Sequence, residues 1–139
     1  MSTTGRRILP TCADLVDEIT INQIKQVLLA DGAGQQERMG LLMQDVDAIL
    51  EERQPRLTAR LLRTVIVLAQ MNLHIWTLKD RAQNDEAGYM DHLKLAHQLN
   101  GLRNQMKNAL LQALGDDDPA LRKSNCDVDG LEGWEIALD

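Results

Sequence analysis

A chain of 139 residues is one domain's worth of sequence, enough to bury a core without disulfides or metal. Hydrophobic residues make up 44%, which argues against wholesale disorder; an aromatic share of 2%, with no Phe, leaves the core to Leu, Ile, Val, Ala and Met and favours helix packing over a sheet sandwich. The net charge of −6 lies in residues 116–139, where eight acids face only Arg122 and Lys123; a neutral body with an acidic tail argues against nucleic acid, whose phosphates need a basic surface.

Taken in order, residues 1–10 read as a flexible leader ending at Pro10. Thr11 followed by Asp14 three residues later fits a capping box and opens a first helix over about 12–30. Asp31-Gly32-Ala33-Gly34 supplies its C-cap and turn. A second helix over about 36–53 carries Met39, Leu42, Met43, Val46, Ile49 and Leu50 at helical spacing. Pro55 suits the first turn of a third helix, over about 56–82, because its missing amide is not needed there. Asn84-Asp85-Glu86 makes the next turn, and a fourth helix over about 86–114 stops at Gly115. Four helices and short loops give an all-α, antiparallel four-helix bundle over residues 11–115. The acidic tail, 116–139, is expected to be partly disordered or docked through its apolar end, Trp134 to Leu138.

The helical wheel of the third helix is the most informative pattern in the chain. Arg60, Arg63, Gln70, His74, Thr77 and Arg81 form a narrow polar stripe. The remaining arc is almost wholly apolar and too wide for one outer helix of a monomeric bundle, so part of it needs a cover. Leu62, Ile66, Leu73 and Trp76 are the expected interface residues of a homodimer. Charged and amide residues interrupt the run, so a membrane span is not expected.

Asn72 sits near the centre of that apolar arc. Asp17 and Thr20 fall inside the arc of the first helix, formed by Val16, Ile21, Ile24, Val27 and Leu28. Arg103 lies near the middle of the fourth-helix arc, with Asn100 toward one edge. At 1.5 Å per residue these five side chains come to similar heights, so three helices are expected to share one polar layer, with Asp17 and Arg103 as its ion pair. Such a layer is either a lock on helix register or a pocket in the bundle core.

Other signals are weaker. Asp14 and Asp17 resemble one carboxylate pair of the helical nucleoside-triphosphate pyrophosphatases, which hold magnesium between paired acids; the second pair is missing, and Asp14 already serves as a cap. His74, His92 and His97 do not share a face, and no Glu-x-x-His occurs. Asn125 to Gly130 imitates the start of a calcium loop but has Ile136 where the bidentate Glu belongs. Neither Ser124 nor the cysteines have a placed base. No metal, cofactor or catalytic residue is assigned. Cys12 and Cys126, with no secretory signal, read as free thiols in the cytoplasm.

The segment from Asp14 to Lys25 resembles the L-[IV]-D-x-[IL]-[ST]-I-x-x-[IL]-K opening of certain small bacterial helical proteins. Asn72-Leu-His-Ile-Trp76 and Asn100-Gly-Leu-Arg103 resemble the later N-x-x-[IL]-W and N-x-x-R motifs of the same group; Lys79-Asp80 departs from its acidic pair. The resemblance spans about 12–114 and implies no known activity, but it implies a companion role in surface-glycan biosynthesis and points to the same polar residues. The reading reached is a non-enzymatic accessory or interaction protein, homodimeric, with the acidic tail as a second protein-binding surface. The alternative is a metal-dependent, pyrophosphatase-like hydrolase.

Overall fold

A computed structural model describes residues 9–29, 33–116, 118–124 and 126. Four helices follow one another as α1 (Cys12–Leu28), α2 (Ala33–Arg53), α3 (Ala59–Asn84) and α4 (Tyr89–Ala113), and a 3₁₀ turn, η1, spans Pro119–Leu121. The chain is all-α and forms an antiparallel four-helix bundle. Residues 1–8 and the apolar end of the tail, Trp134 to Leu138, lie outside the described residues, as does most of the calcium-loop-like stretch.

The α1 capping box forms as its sequence implies. The Thr11 hydroxyl accepts from the Asp14 amide at 3.1 Å, and the Asp14 carboxylate accepts from the Thr11 amide at 3.2 Å. The helix ends two residues earlier than expected, with Leu29 as an extended C-cap. The third helix also departs from expectation: Pro55 precedes it, and Thr58 is the N-cap, its hydroxyl accepting from the Leu61 amide at 3.1 Å. A side-chain cap that satisfies a free amide outweighs the bare preference of Pro for a first turn. Gly115 sits at φ +90, and the Asp116 amide donates to the Leu111 carbonyl at 2.8 Å, closing α4 in a Schellman turn that favours Gly at this position.

That turn ties three helix ends together. Asp116 accepts from the Cys12 amide at 3.1 Å and pairs with Arg53 at 2.9 Å, while Arg53 also donates to the Leu114 carbonyl at 3.0 Å. The start of α1 and the ends of α2 and α4 are thus one unit. The hydrogen bond to Asp116 raises the affinity of Arg53 for its proton, and burial pushes the Cys12 thiol up, which disfavours its thiolate.

The core is Leu-rich: Leu68, Leu99, Leu102, Leu110 and Leu111 are almost fully buried. α3 packs most extensively on α4, and α1 packs on both. α2 rests on α1 and makes at most marginal contact with α3. The α2–α3 side of the bundle is therefore open. The cause lies in α2, which among its described side chains buries only Leu42 and Val46, with Met39 and Ile49 half-buried, a stripe wide enough for one neighbour. Met43 and Leu50 stay exposed, as do Val27 and Leu28 of α1, all four expected on inner arcs.

Candidate functional site

Asp17 is 3% exposed and lies at the centre of a polar layer. Its Oδ1 accepts from Asn72 Nδ2 at 2.8 Å and from Arg103 Nε at 3.2 Å; its Oδ2 accepts from Arg103 Nη2 at 2.5 Å. The guanidinium therefore grips the carboxylate with two donors, a geometry Lys cannot copy. Arg103 Nη1 donates to Asn100 Oδ1 at 3.0 Å, one helical turn back. Asn72 Nδ2 also donates to Thr20 Oγ1 at 2.7 Å, and that hydroxyl donates to the Asp17 carbonyl at 2.7 Å. Asp17, Thr20, Asn72, Asn100 and Arg103 thus form one connected network across α1, α3 and α4. Among the described residues every buried side-chain nitrogen or oxygen has a partner.

Sequence reasoning missed one member. Lys107, buried on α4 one turn beyond Arg103, reaches Asp14 at 3.1 Å and Asp17 at 3.5 Å. A Lys beside an apolar arc reads as a stem that carries its charge to water; the missed signal was the i, i+3 pair Asp14 and Asp17 opposite it. Lys123 approaches Asp14 at 3.8 Å as well. Burial works to raise the Asp14 carboxyl, but hydrogen bonds from Lys107 and Thr11 outweigh it and hold the group below its ordinary value. Asn22, also missed, is buried and donates to the Gln35 carbonyl at 2.7 Å, fixing α2 on α1.

Beside the layer lies an open cleft of about 370 Å³ lined by Leu9, Pro10, Asp14, Asp17, Glu18 and Lys107. Three carboxylates in a cleft suit a cation, yet the Lys107 ammonium already lies between two of them. Glu18 is paired with Arg38 of α2. Among the described residues no group of three or more His, Cys, Asp or Glu side chains is placed to hold a metal ion. Of the histidines, His92 pairs with Asp85 at 3.2 Å in the α3–α4 turn. The Gly88 amide first, and His92 second, hold the Asp85 carboxyl below its ordinary value.

The four expected interface residues divide. Leu62, Ile66 and Leu73 are 52%, 58% and 46% exposed, whereas Trp76 is half-buried. α3 is long and apolar enough to cross a membrane by length and composition, where a span was not expected. Its wide apolar arc produces that match, and inside the bundle the same helix buries Thr64 and Asn72. Beyond α4 the chain is held by side chains: Asn108 donates to the Lys123 carbonyl at 3.0 Å and accepts from the Lys123 amide at 2.7 Å, and Gln105 donates to the Cys126 carbonyl at 3.1 Å.

No protein family, curated protein or solved structure matches this chain. The motif resemblance rests on its quoted residues alone.

Proposed function

We propose that this chain is a non-enzymatic accessory protein that acts through its surface, with the polar layer serving as a structural lock. The observation that carries this reading is the closure of the layer. The Asp17 carboxylate is neutralised by Arg103 and Lys107, and no buried side-chain donor or acceptor among the described residues is left for a ligand. The outward face of α3 supports the same conclusion, because exposed leucine-sized side chains at helical spacing mark an interaction surface. The net charge of −6 in residues 116–139 suits a basic protein partner. The motif resemblance supports a role alongside surface-glycan biosynthesis, and the free thiols Cys12 and Cys126 favour the cytoplasm.

The competing reading, a metal-dependent hydrolase, has one observation in its favour: Asp14, Asp17 and Glu18 line one cleft. Thermal unfolding in excess magnesium or manganese separates the two. The accessory reading expects no rise in Tm that depends on Asp14. A rise abolished by Asp14→Asn would overturn it, since ions held diffusely by the acidic tail would stabilise both proteins alike.

A further inference from the structure

Resting on that surface reading, we infer that the occupant of the α3 face is a second copy of this chain, docked antiparallel with its two-fold axis near Ala69. The shape of the surface comes first. Asp17 and Thr20 turn one edge of α1 toward α3, while Asn22 and Glu18 turn another toward α2 through Gln35 and Arg38. Between those edges, on the side away from Lys107 of α4, the wheel places Val16, Ile19 and Val27. The flank of α2 opposite Arg38 carries Met43 and Leu50. With Leu62, Ile66 and Leu73 of α3 as the facing wall, these residues outline an apolar trough along the open side of the bundle. Stable dimers bury roughly 1,200–2,000 Å² in total, more than a single helix stripe provides, so both walls of the trough belong to the interface.

The order of residues along α3 selects the occupant. Leu62, Ile66, Ala69, Leu73 and Trp76 follow a 4-3-4-3 spacing, the seam of a helix pair. The seam is nearly palindromic, with its small residue in the middle. A two-fold axis at Ala69 sets Leu62 opposite Trp76 of the second copy and Ile66 almost opposite its Leu73. Ala69 lets the backbones approach where they cross. Charge fixes the direction. From Ala59 to Leu78 the helix carries Arg60 and Arg63 and no acid, whereas its other end carries Asp80 between Lys79 and Arg81, with Asp85 and Glu86 just beyond, which leaves residues 79–86 at a net charge of −1. A parallel pair would bring the two cationic starts together with Arg63 beside the seam, Arg60 lying on the far side of the helix from Ala69. The antiparallel pair moves the cationic start to the weakly acidic end of the second copy and opposes the helix dipoles favourably. An isologous contact of this kind closes on itself and does not propagate.

Sedimentation equilibrium and cysteine crosslinking of the full chain test this. In a Cys126→Ser background, with Cys12 buried, Ala69→Cys is expected to give a covalent dimer under oxidised glutathione. Leu62→Cys alone is expected to give none, because a two-fold at Ala69 holds the two sulfurs about 21 Å apart along the axis. A mixture of Ile66→Cys and Leu73→Cys chains should link to each other. Ile66→Glu should weaken self-association by at least about 30-fold, the loss of one hot-spot side chain, with far-UV circular dichroism of the monomer unchanged. A monomer mass at every concentration overturns the second copy, and efficient linking through Leu62→Cys alone overturns the antiparallel axis. Neither result touches the accessory reading, which stands or falls on the metal titration.

Discussion

Replacing Asp17 with Ala removes the acceptor for three hydrogen bonds and the counter-charge of two cations at once. Removing one partner from a buried ion pair costs about 3–5 kcal/mol, because the stranded charge keeps its desolvation penalty. Two features of the site place this case at the lower end. The Arg103 side chain keeps 23% of its surface in solvent and can turn outward, and Lys107 retains Asp14 at 3.1 Å. The expected loss is therefore about 3 kcal/mol. Arg103→Ala should cost a similar amount, since Asp17 is then left with Asn72 and the more distant Lys107. Asp17→Leu combined with Arg103→Met should cost less than either single change, because no unpaired charge remains. Urea unfolding followed by circular dichroism at one fixed protein concentration measures all three. A loss below about 1 kcal/mol for Asp17→Ala, or simple additivity in the double variant, would refute the claim that the layer is a tightly coupled buried pair.

Three further outcomes are expected. Because the Asp14 carboxyl is held below its ordinary value, the folded state binds fewer protons than the unfolded one near pH 4; the stability that Asp14→Asn removes should be full above about pH 4 and fade as pH falls through the folded value. A difference that grows on acidification would contradict the Lys107–Asp14 contact. Asn108→Ala loses both hydrogen bonds to the Lys123 backbone, so limited trypsin digestion should cut after Arg122 and Lys123 faster than in the parent protein, and equal rates would mean that the segment is held by something else. Asn72→Leu should cost on the order of 1 kcal/mol, the worth of its hydrogen bonds, yet should reduce crosslinking of the Ala69→Cys chain; an undiminished yield would show that Asn72 does not fix the rotation of α3.

Helices and polar layer were readable from sequence for one physical reason. On amphipathic helices the wheel position of a polar residue among apolar ones is nearly enough to bury it, so Asp17, Asn72 and Arg103 stood out. Boundaries were less readable because caps override propensity, as Thr58 shows against Pro55. Lys107 escaped because its long stem is compatible with either side of a helix edge; only the position of Asp14 across α1 and α4 decides where the ammonium goes. The open α2–α3 side escaped for a related reason. A wheel reports how wide an apolar stripe is, not how many neighbours the fold supplies to cover it.

The lock and the surface are therefore two consequences of one helix composition. With an apolar arc wider than half its circumference, α3 could rotate by one residue, about 100°, and still bury Leu, Ile or Val against α1. Hydrophobic burial is non-directional and distinguishes such rotations poorly. Asn72 breaks the degeneracy, because only one rotation brings its amide to Asp17 and Thr20, and every other leaves a buried carboxylate short of a donor. The same rotation turns Leu62, Ile66 and Leu73 outward on the opposite edge. A polar layer that does no chemistry can thus decide which side of the helix a partner meets, since the residue that fixes the inside of α3 also defines its outside.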